Sequence, residues 1–200
     1  MKQINRFLKI GLVLAILGAG YFFTSLTIFD RTLIQLNTSP KLSYIPFENK
    51  LNMQCDKADN LVPKLAFSRF HLITWNVHKG QDTGWQEDLE RLSKRADFVL
   101  LQEATQHQNL NTFSTALFVS SFSFKDLLSG VKTFTKTQPE WYCGGGVAEP
   151  LIQIPKVASV MSFPLEKGDS LLLINVHLIN FEWGISACLL YTSPSPRDCS

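Results

Sequence analysis

Several chemistries are excluded by what this chain does not contain. It has no Gly-x-Ser-x-Gly elbow, so a serine hydrolase lacks its anchor. Gly144-Gly145-Gly146 is not followed by Lys-Ser or Lys-Thr opening a helix, so it is no phosphate loop. Cysteine is scarce, four in 200 residues, and the spacing matches no zinc site. Cys143 stands in no recognisable nucleophile context. There is no internal repeat and no heptad. A basic stripe is also missing. The formal net charge is +2, and between residues 68 and 187 there are 10 Lys and Arg against 12 Asp and Glu. The electrostatic footprint of a dedicated nucleic-acid binder is therefore absent.

Apolar residues are not lacking. At 45% they suffice for one domain with a sizeable core. Part of that fraction lies in residues 10–29, an uncharged and mostly apolar run of 20 residues. That is about the number a helix needs to span a hydrocarbon core of ~30 Å. Lys2, Arg6 and Lys9 precede it, while Asp30 and Arg31 roughly cancel behind it. The sequence thus predicts a single-pass membrane helix at 10–29, a cytoplasmic N-terminus at 1–9 and an exported remainder. A cleaved signal peptide is the rival reading, with Gly18 and Gly20 as small residues. Apolarity resumes at Tyr21-Phe22-Phe23, which favours a retained anchor. In an exported domain Cys55 and Cys143 could pair, and the sequence leaves a disulfide and two free thiols both open.

Residues 30–67 read as a linker, punctuated by Pro40, Pro46 and Pro63. Residues 68–77 read as a buried strand. A helix follows, with Thr83 and Gln86 as a capping-box pattern, Glu87 and Asp88 in its first turn, and Trp85, Leu89 and Leu92 at helical spacing. Residues 98–101 form the next strand, completing a strand–helix–strand crossover. Residues 106–117 are a weaker helix candidate, residues 119–124 alternate as a half-buried strand, and the triple glycine is expected as a flexible loop. Strands at 157–163 and 171–178 are joined by a tight turn containing Gly168.

Three of these strands end on polar residues of different types. Asn76 closes Leu72-Ile73-Thr74-Trp75, Gln102-Glu103 closes Leu100-Leu101, and His177 follows Ile174-Asn175-Val176. A carboxylate at a rigid strand end suits Mg²⁺ or Mn²⁺, which take oxygen ligands and keep several waters. Asn76 can donate to a phosphate oxygen and accept from a neighbour. Asn175 and His177 share one strand face by their spacing of two. His78, Lys156 and Glu149 are weaker substrate-binding candidates, each ordinary as a surface residue.

The Trp75-Asn76-Val77, Gln102-Glu103 and Asn175-Val176-His177-Leu178 segments resemble the endonuclease/exonuclease/phosphatase superfamily, the deoxyribonuclease-I-like fold. With Glu149-Pro150-Leu151 and Pro155-Lys156 they resemble an exported bacterial branch of it, over residues 70–184. The resemblance implies an α+β fold, a four-layer α/β sandwich of two packed mixed sheets flanked by helices, here behind one transmembrane helix. It implies Glu103 as metal ligand, His177 and Asn76 as catalytic residues, and Mg²⁺ or Mn²⁺ as cofactor. The implied reaction is hydrolysis of a phosphodiester in nucleic acid or in a lipid or sugar phosphate, with no protein partner. The alternative is a non-catalytic, membrane-anchored envelope binding protein on the same fold.

Residues 188–198 resemble a translated sequencing-library adaptor, so residues 188–200 are expected to be non-native and residues 68–187 to be the N-terminal part of a longer domain. The superfamily's later Asp-x-Asn and Ser-Asp-His motifs do not follow His177. Without them water activation and charge stabilisation are incomplete, and the 200-residue chain is expected to be inactive.

Overall fold

Strands dominate the fold, and Phe98–Thr105, Thr115–Phe124, Leu127–Thr135 and Pro155–Pro164 are buried along most of their length. The structure is a computed structural model and describes residues 2–46, 52–58, 62–66, 69–148 and 155–177. A helix α1 (Lys2–Ser25) leads into β1 (Leu26–Leu36), β2 (Leu42–Pro46) and β3 (Asn52–Lys57). Then come β4 (Leu72–Asn76), a 3-10 turn (His78–Gly80), α2 (Trp85–Ser93) and β5 (Phe98–Thr105). The rest is β6 (Thr115–Phe124), β7 (Leu127–Thr135), β8 (Trp141–Ala148), β9 (Pro155–Pro164) and β10 (Ser170–Val176).

Six strands form one sheet in the order β2-β1-β6-β7-β5-β4, and four form a second in the order β10-β9-β8-β3. Neighbours are antiparallel except β4 and β5, which run parallel across the α2 crossover. That strand–helix–strand unit is the one the sequence predicts. The main core lies between the sheets. Ile34, Phe98, Leu100, Leu117 and Val119 of the larger sheet meet Tyr142, Met161, Phe163 and Leu173 of the smaller. A second cluster covers the other face of the larger sheet, where Leu89 of α2 and Leu110 and Phe113 of the loop before β6 pack on Val99, Leu101 and Phe134.

The architecture corrects the expected four-layer α/β sandwich. Among the described residues the fold is mostly β, and α2 with its neighbouring loop covers one sheet face only. On the outer side of β10, Leu172 and Ile174 are exposed. Residues 106–117 give no helix; they turn and enter β6 at Thr115. Gly144 and Gly145 are not in a loop but inside β8. A Cβ on Gly144 would lie 2.6 Å from Ile34 Cγ1, and one on Gly145 would lie 2.0 Å from the Asn52 carbonyl oxygen. Close packing, not flexibility, accounts for these glycines.

The membrane anchor is also corrected. No helix among the described residues is long and apolar enough to cross a membrane. The uncharged run at 10–29 is split between two elements. Its helical part stops at Ser25, so residues 10–25 rise only about 24 Å. Leu26, Thr27 and Ile28 instead pair with Phe124, Ser123 and Phe122 of β6. With the span gone, the cytoplasmic N-terminus and the exported remainder lose the observation that carried them.

Residues 30–67, expected as a linker, hold most of β1 and all of β2 and β3. Of the prolines there, Pro46 ends β2, Pro40 lies in the connection between β1 and β2, and Pro63 lies outside the named strands. β3 is joined to β8 by a disulfide between Cys55 and Cys143, which face each other in the ladder. The turn before α2 also differs from its expected form. The N-cap is Gly84 with φ of 77°, and Thr83 makes no capping box. The 188–200 segment and Leu178 lie outside the described residues.

Candidate functional site

Two rows of polar side chains cross from the larger sheet to the smaller at the carboxyl ends of β4, β5 and β10. The first row is structural. Gln102 donates to Thr74 Oγ1 at 3.2 Å and to Asn175 Oδ1 at 2.7 Å. Asn175 Nδ2 lies 3.2 Å from the Leu101 carbonyl, 3.2 Å from that of Lys132 and 3.1 Å from Thr133 Oγ1. Asn175 is 1% exposed, so this amide is a saturated buried hub rather than a binding group.

The second row is the candidate site. Asn76 Nδ2 donates to Glu103 Oε1 at 3.1 Å, and His177 Nε2 lies 3.8 Å from the same oxygen. In β4 and β10 the step between rows is two residues, 74 to 76 and 175 to 177, as a pleated strand requires. In β5 it is a single residue, 102 to 103. The pairing with β7 explains this. Leu101 faces Lys132 and Ala104 faces Gly130, so Gln102 and Glu103 together stand against one residue. That is a β-bulge, and Glu103 takes a left-handed φ of 49° within it. A regular strand would send the Glu103 side chain to the α2 face; the bulge returns it to the row. Non-glycine residues with such backbones cluster at functional sites.

Lys79 completes the group. It sits in the 3-10 turn after β4 with φ of 57° and donates from Nζ to Glu103 Oε2 at 2.8 Å. The turn is steered by Asn76 itself, whose Oδ1 accepts from the His78 backbone N–H at 3.0 Å. Gly80, at φ of 74°, lets the Trp85 ring lie against the turn. Burial alone would raise the Glu103 pKa. Hydrogen bonds from Lys79 and Asn76, with the charges of Lys79 and His177, outweigh it and hold the carboxyl at about 2. Glu103 is therefore a half-buried carboxylate, ionised throughout the neutral range.

The structure thus brings Asn76, Glu103 and His177 together from three segments. His78 takes part through its backbone, while its ring is exposed and lies 3.5 Å from Asp82 Oδ1. Lys156 stands in β9 opposite Val147 of β8, one residue before Val157, whose carbonyl accepts from His177 N–H. Glu149 lies outside the described residues. Sequence reasoning missed Lys79. The available signal was a Lys-Gly pair immediately after a strand-ending Asn. No group of three or more His, Cys, Asp or Glu able to hold a metal occurs among the described residues. Metal binding here would rest on one carboxylate, a pattern Mg²⁺ tolerates when substrate and water supply the other oxygens. The residues fit that case. A carboxylate has about four lone-pair sites, and the amide and ammonium donors occupy two. Lys79 would have to yield its place or share it.

A mostly β fold with one ionised acid, an amide, an ammonium and an imidazole at converging strand ends defines a class by geometry alone. Comparison with known proteins places the chain beside proteins whose names state no activity. It is 28% identical over 183 residues to a UPF0294 protein of Vibrio vulnificus (strain YJ016), covering 88% of this chain and 62% of that protein. It is 34% identical over 119 residues to a UPF0294 protein of Yersinia pseudotuberculosis serotype O:1b (strain IP 31758), covering 57% of this chain and 46% of the relative. A UPF0294 protein of Klebsiella pneumoniae (strain 342) is 31% identical over 128 residues. The chain spans about half to three-fifths of the length of these curated relatives. No family model matches, and no solved structure matches. The resemblance to the endonuclease/exonuclease/phosphatase superfamily is accordingly corrected: the similar proteins are UPF0294 proteins, and nothing matched carries the superfamily's name. Motifs of two to four residues at strand ends are too short to assign a superfamily by themselves.

Proposed function

We propose that the full-length protein hydrolyses a phosphoester, assisted by a divalent cation at Glu103. The observation that carries this reading is the β5 bulge. It holds one carboxylate in a costly backbone conformation, and so aims it at an amide, an ammonium and an imidazole. A core needs no such arrangement, whereas a phosphate needs several donors converging on its oxygens. In this reading Lys79 turns from Glu103 to a phosphate oxygen, and Asn76 Nδ2 donates to another. A water oxygen bonds to phosphorus and loses a proton to solvent as the ester oxygen departs, and His177 donates a proton from Nε2 to that departing oxygen. Bound Mg²⁺ or Mn²⁺ supplies charge neutralisation at the phosphate. Nucleic acid, lipid phosphate and sugar phosphate all present the required diester.

A second reading is a non-catalytic phosphoester-binding module. Lys79 favours it, because its ammonium already neutralises Glu103. One experiment separates the two. Mn²⁺ binding is followed by electron paramagnetic resonance, and Mg²⁺-dependent cleavage of bis(4-nitrophenyl) phosphate is followed by colour, for the wild type and Glu103→Gln. Metal binding and turnover that both vanish in the variant support the hydrolase. Inorganic phosphate binding without turnover supports the module. Metal binding and cleavage unchanged in Glu103→Gln would remove Glu103 from the function altogether.

A further inference from the structure

A second feature adjoins the acid row, on the opposite face of β5. A cleft of about 210 Å³ opens between α2 and the loop after β5. Trp85, Leu89, Leu110 and Phe134 give it apolar walls, and Gln108 and Lys79 also line it. Lys79 is the same side chain that reaches Glu103, so the cleft and the candidate site share a residue.

Gln108 is the informative member. It is 7% exposed. Its Oε1 accepts from the Thr105 backbone N–H at 3.0 Å, which fixes the orientation of the amide. Its Nε2 has no hydrogen-bond partner. A buried donor left without an acceptor is destabilising, and such groups call for an explanation. A ligand that brings an acceptor to Nε2 would supply one.

We propose that this cleft binds a planar heterocyclic ring with an acceptor edge, carried by the phosphoester on the side facing Lys79. A ring of this kind has apolar faces for Trp85 and Phe134 and a carbonyl edge for Gln108. A sugar needs polar partners on both faces, and although Gln86, Thr105, His107 and Asn109 also line the cleft, its walls at Trp85, Leu89, Leu110 and Phe134 are apolar. An acyl chain needs a longer apolar groove and has no acceptor to give. The proposal rests on the phosphoester reading only for the group that links the ring to Lys79.

The test uses the ¹⁵N-labelled 200-residue chain and three separate probes: uridine, glucose and inorganic phosphate. Uridine carries the ring without the phosphate. It is expected to shift the Trp85 indole N–H and the Gln108 side-chain amide, with a dissociation constant on the order of 1 mM. Glucose is expected to leave both in place. Gln108→Leu is expected to weaken uridine roughly tenfold. Because that variant also removes the acceptor of the Thr105 amide, the wild-type shift map serves as the check independent of folding. No uridine shift at Trp85 and Gln108, an equal response to glucose, or undiminished uridine binding by a folded Gln108→Leu would each overturn the proposal. Phosphate reports on Lys79 and His177 alone. A phosphate response without a uridine response sinks the ring site and spares the phosphoester reading. A uridine response without a phosphate response does the reverse.

Discussion

Gln102 of the larger sheet and Asn175 of the smaller meet at 2.7 Å, and this contact locks the two sheets together immediately behind the candidate site. Asn175 spends its own amide hydrogens on the main chain at the bulge, facing the carbonyls of Leu101 and Lys132. The smaller sheet thus supports the irregularity in the larger one that aims Glu103.

Asn175→Ala should therefore cost about 2–4 kcal/mol, since it strands buried acceptors as well as the Gln102 amide. Urea unfolding monitored by circular dichroism measures this. A loss below ~1 kcal/mol would show that the bulge holds without its hub.

Glu103 makes stability depend on acid in a defined window. Its folded pKa of about 2 lies below the ordinary value of 4.5, so the ionised form favours the native state. That contribution is complete above about pH 4.5 and disappears as pH falls towards 2. It amounts to roughly 2–3 kcal/mol after allowance for partial solvent screening. The wild type should outlast Glu103→Gln at pH 6, and the gap between their melting temperatures should close between pH 4.5 and 2.5. A gap that is constant across that range would contradict the pairing with Lys79.

The hairpin between β6 and β7 turns through Lys125 and Asp126, both with positive φ, at 50° and 63°. Two such residues make a type I′ turn, which favours glycine at the second position. Asp126→Gly should stabilise the protein by about 0.5–1 kcal/mol. Thermal unfolding tests this, and a lower melting temperature would count against the turn geometry.

β3 depends on two close ties to β8. A methyl group at Gly145 would collide with the Asn52 carbonyl, so Gly145→Ala should cost at least about 2 kcal/mol. Reducing the Cys55–Cys143 disulfide, which spans 88 residues, should cost roughly 2–4 kcal/mol. Hydrogen exchange at 52–57 should accelerate in both cases. Protection that survives both changes would mean that the edge strand is held elsewhere.

The parts of the fold legible in the sequence were those with local causes. The crossover from β4 through α2 to β5 follows from apolar spacing, and the β9–β10 hairpin from Gly168. The anchor misled because hydropathy cannot say where a helix ends: Ser25 and Leu26 look alike to a sum over 10–29, and only pairing with β6 separates them. The triple glycine misled for the same reason, since the need for small residues arises from Ile34 and Asn52, distant in sequence. At the candidate site, Asn76, Glu103 and His177 stood out as polar ends of apolar runs. Lys79 did not, because its role depends on a turn that Asn76 and Gly80 shape, and Gln108 shows itself only by the hydrogen bond it lacks.

The bulge in β5 means that this site is set by a residue count as much as by residue types. Deleting one residue between Leu101 and Ala104, with Glu103 kept, would restore a regular ladder with β7. The carboxylate, now next to Leu101, would take the place of Gln102 in the row facing Asn175, one row back from Asn76 and His177. The acid would survive such a deletion while its geometry would not. Two homologues that both carry the acid but differ by this one residue in β5 would therefore differ in whether they have this site at all.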